Sequence, residues 1–539
     1  MYKASRTIFS LYLAVLAGGA FHAASVPYPQ AEFVANISSS APDWRPHKAY
    51  NADEAQILTA IYEGLFTYDP YNLDPVPALA ESWTVSKNSL EWTFRLRKGA
   101  KFENGDPITA VEIRASWLNL LAPASAAPYA SLFDSIAGAA EYRSGTNLKS
   151  SSVGITAPDA HTLVVRLVTP TEHLPKILCH HAFSVVHPSE LKQTNNSGED
   201  PSFRPVSSGA FKIESVSESE IVLVKNPEYW DNANVFLPSI RLLLSDDPET
   251  LTARFNRGEI NWLAGSSVVD RVVDPSSIHI TPMFSTEYFF FRSTLGPGAD
   301  SRIRNALLLA VPWKELRANY LIPAKTLVFP IAGYPELDGI NIENLEEAKK
   351  KLLEAGVTDP ASRPPLVISI PESQNFLSLA KILEKAWTAL GFRVEIRNQP
   401  YATYYGSLRE NDYTVGITSW IGDFADPLSF LEIFRPTSSL NDSGWNSPGY
   451  EALIVDASGQ KLVKNRYAKL AEAEKLLLSE GVILPVAHNP SLNVIDMNGI
   501  TGWYTNALDI HPFKSVRFSQ KRALPGVAVL SRRIGNGGL

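Results

Sequence analysis

The hydrophobic period changes along the chain, and the changes predict its elements. Asp53 and Glu54 open a helical pattern with Ile57, Leu58, Ile61 and Leu65 on one face. From Leu90 to Arg97 apolar and polar residues alternate strictly, as in a half-buried strand, and Asn104-Gly105 marks a tight turn after it. Thr109 and Glu112 have capping-box spacing at the head of a helix bearing Ile113, Trp117 and Leu121. A turn at Pro158-Asp159 leads into Leu163, Val165 and Leu167, again alternating. The first half therefore predicts short strands and hairpins between helices.

The second half keeps a different rhythm. Asn344 with Glu347 starts a helix running to Gly356, and Pro365 to Ile370 reads as a strand. A helix from about Leu377 ends at Gly391, before Val394 and Ile396 in the next strand. Another, from about Lys461, ends at Gly481 before Val482-Ile483-Leu484. Helix, terminal glycine and apolar strand in succession predict crossover units on a largely parallel sheet. No fixed-period repeat appears. Two α/β lobes of different internal pattern follow, with a ligand expected at strand ends and between lobes.

Composition narrows this. The 539 residues are 45% hydrophobic and 19% charged, enough to bury large cores. Lys+Arg number 49 against 56 Asp+Glu, a net charge of -7 that argues against a nucleic-acid partner. Residues 1–25 carry Lys3 and Arg6, then an uncharged, mostly apolar run from Ile8 to Ala20, then Ala23, Ala24 and Ser25. That is the layout of a secretory signal peptide, and the run is short of the roughly 20 residues a spanning helix needs. No cysteine follows the run, so a soluble periplasmic protein without a lipid anchor is expected. Loss of Lys3 and Arg6 would move the charge from -7 to -9.

Candidate chemistry is sparse. There is no G-x-S-x-G elbow, phosphate loop or H-E-x-x-H, and the single cysteine, Cys179, excludes intramolecular disulfides. Cys179-His180-His181 invites a metal reading, but adjacent histidines in a regular strand point to opposite faces, so local packing is expected there. Gly535-Asn-Gly-Gly538 reads as a loose tail. Asp423 and Asp426 could be paired carboxylates of a hydrolase. Asp426 before Pro427 equally suits a turn or helix start.

Longer stretches carry a resemblance. Ile61-Tyr-Glu-Gly-Leu-Phe66, Pro77-Ala-Leu-Ala-Glu-Ser-Trp83, Trp92 to Phe102 and Asn104-Gly-Asp-Pro-Ile-Thr-Ala110 resemble the extracellular solute-binding proteins of family 5, which serve ABC importers. The likeness continues, in order, through Ser208 to Lys212, Asn226 to Trp230, Arg257 to Ile260, Arg302 to Leu307, Glu347 to Gly356 and Gly502 to Phe513. Ala127 to Ser131, Ser135 to Gly138 and Trp420 to Pro427 resemble its oligopeptide-binding subgroup.

The resemblance implies a two-lobed α/β fold of the periplasmic binding protein type II class, with an extra α/β subdomain in the first lobe and a hinge between lobes. The expected divisions are 1–25 signal peptide, 26–70 and 190–283 first lobe, 71–189 extra subdomain, 284–499 second lobe, and 500–539 return and tail. It implies that Asp423 holds a peptide α-ammonium while Ser419, Trp420 and Ile421 offer backbone to the ligand. Tyr50, Asn51 and Ala52 match the facing segment, and Tyr129, Tyr401 and Trp420 match pocket-lining aromatics. Core packing explains Tyr401 equally well. Ile417 and Phe376 stand where the subgroup has cationic residues, which leaves peptide length and even peptide specificity open. The implied function is a monomeric, non-enzymatic receptor, without cofactor or metal, that delivers short peptides to an ABC permease in the inner membrane. A cell-wall peptide, a sugar, nickel or haem as ligand, a sensory role, and a secreted hydrolase using Asp423 and Asp426 are the alternatives.

Overall fold

A computed structural model describes residues 32–49, 51–191, 203–359, 363–408 and 412–519. The expected signal peptide, Tyr50 and the glycine-rich end lie outside the described residues, as does the side chain of Tyr401.

Three sheets organise the chain into a two-lobed α/β fold. A seven-stranded sheet runs in the order Ile278–Pro282, Pro490–Ile495, Trp262–Ala264, Phe33–Asn36, Ser239–Leu243, Glu220–Lys225 and Phe211–Val216. A five-stranded sheet runs in the order Val394–Gln399, Leu366–Pro371, Val415–Ile421, Ser285–Phe291 and Ile483–Ala487. A four-stranded antiparallel sheet holds Ala80–Val85, Glu91–Leu96, Thr162–Arg166 and Ile155–Asp159.

Local chemistry accounts for the elements. The strand Glu91–Leu96 alternates as expected, with Trp92, Phe94 and Leu96 buried. Thr109 and Glu112 reciprocally cap the helix Ala110–Leu121, which buries Ile113, Trp117 and Leu121. The helix opened by Asp53 and Glu54 spans Ala52–Ile61 and stops four residues before Leu65, which is buried in the following loop. Ser373, rather than a residue near Leu377, caps the helix Gln374–Ala389. Gly356, Gly391 and Gly481 follow their helices with φ of 78°, 87° and 65°, which a side chain would strain.

The expectation of a largely parallel second sheet needs correction. Leu366–Pro371 is parallel to both Val394–Gln399 and Val415–Ile421, but Ser285–Phe291 is antiparallel to both of its neighbours. The chain enters this sheet through Ser285–Phe291 and leaves it through Ile483–Ala487. Entry and exit through one boundary require those two strands to run in opposite directions. The crossings between the large sheets, at Met283-Phe284 and His488-Asn489, therefore lie side by side.

Candidate functional site

The edge of one strand defines the site. Val415–Ile421 pairs with Ser285–Phe291 along its whole length, from Val415 against Phe291 to Ile421 against Ser285. On its other side Leu366–Pro371 accompanies it only at Val415 and Gly416 before turning toward the helix at Gln374. Fully buried Tyr404 fills the fork. Its hydroxyl accepts the Ile417 N–H at 2.9 Å and lies 3.1 Å from the Ser369 carbonyl oxygen. Strand alternation puts the backbone groups of Ser419 and Ile421 on the side of Ile417's, away from the Ser285–Phe291 partner. Beyond Tyr404 that edge has no strand neighbour among the described residues, and Ser419 is exposed.

Asp423 lies just past this edge. Gly422 brings the chain there by tight packing: its N–H donates to the Phe284 carbonyl at 2.8 Å, and a Cβ would stand 2.4 Å from the Phe284 ring. The Asp423 side chain is only 8% exposed. Burial pushes its carboxyl well above the usual aspartate range, against the pull of a hydrogen bond from the Tyr129 hydroxyl. Tyr68 donates to the Asp423 carbonyl oxygen at 2.9 Å.

His180 completes the wall. Trp117 Nε1 donates to the Phe183 carbonyl oxygen at 2.8 Å, fixing the 3₁₀ turn His181–Phe183 against the Ala110–Leu121 helix. His180 Nδ1 accepts the Ala182 N–H, which leaves Nε2 facing Asp423 Oδ1 at 3.7 Å. Burial, reinforced by neighbouring His181, holds the His180 pKa well below the usual value, so the ring is neutral and does not balance the carboxylate. The Tyr129 ring packs on His180 with centroids 4.3 Å apart.

This segment overturns the premise of the opposite-face argument for Cys179-His180-His181. It is turn and 3₁₀ helix rather than strand, and the two imidazoles pack together with centroids 4.1 Å apart. Among the described residues no group of three or more His, Cys, Asp and Glu could hold a metal ion.

Asp426 is differently occupied. Arg466 donates to both its carboxylate oxygens at 2.7 and 2.8 Å, and Asp426 Oδ1 accepts the Leu428 N–H at 3.0 Å. Burial alone would push this carboxyl up, but the guanidinium outweighs it and the pKa falls below the ordinary value.

The structure thus brings Asp423, Tyr129 and the edge at Ser419 and Ile421 together. Asn51 caps the Ala52–Ile61 helix and both Asn51 and Ala52 are exposed. The segment before them reaches the same histidine pair, His181 Nε2 donating to the Ala49 carbonyl oxygen at 3.1 Å. Half-buried Trp420 turns its indole to the opposite face of the sheet from Ser419, donating to the Ser429 carbonyl oxygen at 2.9 Å. Tyr401 begins the helix Tyr401–Ser407. Ile417 and the part-buried Phe376 add no charge.

Sequence reasoning missed three parts of this region: His180 as a neighbour of Asp423, Tyr404 as the filler of the fork, and Glu287. Glu287 had a signal, as the one acid in the otherwise uncharged and wholly buried strand Ser285–Phe291. It stands directly opposite Ser419. The other two had none, since each depends on a long-range contact.

Both sides of the cleft touch directly. Besides the Tyr68 bond, Lys176 Nζ donates to the Ala425 carbonyl oxygen at 3.2 Å, and the His173 ring stacks on Phe424.

Comparison with known proteins agrees with the architecture. The periplasmic oligopeptide-binding protein OppA of Escherichia coli is 29% identical over 533 residues, covering 93% of this chain and 96% of that one. The structure of the Escherichia coli murein tripeptide binding protein MppA superposes with a TM-score of 0.80 at 27% identity, covering 90% of this chain and 98% of that one. The unliganded open form of MppA, also at 27% identity and covering 91% and 98%, gives only 0.63, in keeping with the contacts across the cleft here. The model of the bacterial extracellular solute-binding proteins, family 5, matches residues 74–442. The chain belongs to that family.

Proposed function

We propose that the chain is a periplasmic receptor that closes two lobes over a short peptide and delivers it to an ABC permease, without chemical change to the ligand. One observation carries the reading: a buried carboxyl with no cationic partner among the described residues stands at the end of a strand edge that is unpaired among them. A free peptide supplies both missing parts. Its α-ammonium would neutralise Asp423, and its backbone would add to the strand at Ile421 and Ser419. Relatives named for oligopeptide and murein peptide binding support the same ligand class.

The sequence pattern of residues 1–25 supports export. The side-by-side crossings at Met283-Phe284 and His488-Asn489 support a lobe boundary near residue 284 and a second near 489, ten residues before the expected 499, because Pro490–Ile495 already pairs in the seven-stranded sheet. Asn51 and Ala52 are read as the facing wall, and Trp420 as lining for alternate ligand side chains.

The test is calorimetric titration of the purified protein with short peptides bearing free or acetylated amino termini. Breaking a buried charge pair costs about 3–5 kcal/mol, so Asp423→Asn and N-acetylation should each weaken binding by more than about a hundredfold. Equal affinity of acetylated and free peptides would overturn the role of Asp423. Denaturing mass spectrometry of the purified protein should release peptides; a sugar, metal or tetrapyrrole would overturn the ligand class.

A further inference from the structure

Glu287 is a second buried acid facing the proposed ligand path. Its carboxyl accepts from the Tyr320 hydroxyl and is hydrogen-bonded by Asn489, which also reaches the Ser419 hydroxyl at 3.5 Å. Asn375 donates to the Tyr320 hydroxyl at 3.1 Å, so a relay of neutral donors ends on the acid. Burial raises the proton affinity of Glu287, and the groups acting on it are hydroxyl and amide rather than cationic. Asn375 and Ser419 are exposed, and Tyr320 and Asn489 are half-buried, so the cluster opens toward solvent on the side of the free edge.

Register relates this cluster to the ligand. Residues directly opposite one another in neighbouring strands project to the same face, so Ser419 and Glu287 share one. A strand added at the free edge would place a third residue in that row, its Cα about 10 Å from that of Glu287 across two strand spacings. The intervening residue is a serine, too small to fill the row. A long side chain could lie over it and bring a charge to the carboxylate, whereas a short one would stop at Ser419. Counting from an amino terminus at Asp423, with the first residue opposite Ile421, the residue opposite Ser419 is the third.

We infer that Glu287 makes this site selective for peptides with a long cationic side chain, lysine or arginine, at the third position. The inference rests on the peptide reading and goes beyond it by naming a side chain. The cation would be held by a carboxylate already oriented by Tyr320 and Asn489, with Ser419 as the floor beneath its stem.

The experiment titrates the full chain with Ala-Ala-Lys-Ala, Ala-Ala-norleucine-Ala, Ala-Ala-diaminopropionate-Ala and Ala-Lys-Ala-Ala. Lysine at position three should bind at least tenfold more tightly than norleucine. Diaminopropionate, cationic but short, should lose most of that gain, and lysine at position two should show none. In Glu287→Gln the lysine-to-norleucine ratio should fall toward one. Peptides that bind without discrimination at position three, or a ratio unchanged in Glu287→Gln, would overturn the inference and leave the peptide reading standing. Failure of all four peptides to bind would bring down both. Should Glu287→Gln fail to fold, the scan of the wild-type chain decides by itself.

Discussion

Asp423 and Asp426 are three residues apart, both buried, and opposite in state. Asp426 is held by Arg466 in a two-bond ion pair and also accepts a helix N–H. Asp423 has a tyrosine hydroxyl and a neutral imidazole 3.7 Å away. One carboxylate has its counter-charge within the fold, and the other has none among the described residues. Burial cost is common to both, so a missing partner, rather than burial itself, singles out Asp423 as the acid proposed to receive a ligand.

Removing Arg466 should make the two alike. Arg466→Met leaves Asp426 buried and unpaired and should cost about 3–5 kcal/mol of folding stability, read as a fall in the denaturation midpoint at neutral pH. A loss below about 1 kcal/mol would mean that Asp426 is already relieved in some other way.

Tyr129→Phe sharpens the other side. It removes the hydroxyl that favours ionised Asp423, and hydrogen bonds to charged groups contribute about 1.5–3 kcal/mol. Peptide affinity should fall by roughly tenfold to a hundredfold. Unchanged affinity would mean that the hydroxyl is dispensable once the ammonium is bound.

The smallest effect is the pH dependence of the ligand-free protein, and its sign differs between the two acids. The Asp423 pKa is raised in the fold, so its stabilising contribution is complete below the unfolded value of about 3.9 and is lost as pH rises through the raised value. Asp423→Asn should therefore gain stability relative to wild type as pH climbs from about 4 toward 8. The Asp426 pKa is lowered, so its contribution is present above about 3.9 and fades as pH falls through the lowered value. The penalty of Asp426→Asn should shrink in acid. Parallel pH curves for the two variants, measured by urea denaturation, would erase the distinction.

Much of this was legible in sequence where the causes are local. The capping box at Thr109 and Glu112, the alternation from Glu91 to Leu96, and the glycines at 356, 391 and 481 each encode their element within a few residues. The directions of Ser285–Phe291 and Ile483–Ala487 were not legible, because they follow from where the chain crosses between sheets. The surroundings of Asp423 were legible only in part. Its neighbour Tyr129 is about 300 positions away and His180 about 240, a separation that no local pattern records. For the histidine pair only the strand premise fails, since the segment folds as a turn; the rings are buried and pack together as the packing expectation has it.

The paired crossings at Met283-Phe284 and His488-Asn489 have a mechanical consequence. The strands that meet there are partners on both sides, Pro282 with Pro490 in one sheet and Glu287 with Ala487 in the other. Together they form a two-ply ribbon, pliant to bending out of its plane and stiff to shear within it. Such a flexure leaves the molecule one soft angle. Solutes of different length would then all be reported outward as the same rotation, and a partner that senses only that angle need never inspect what lies inside.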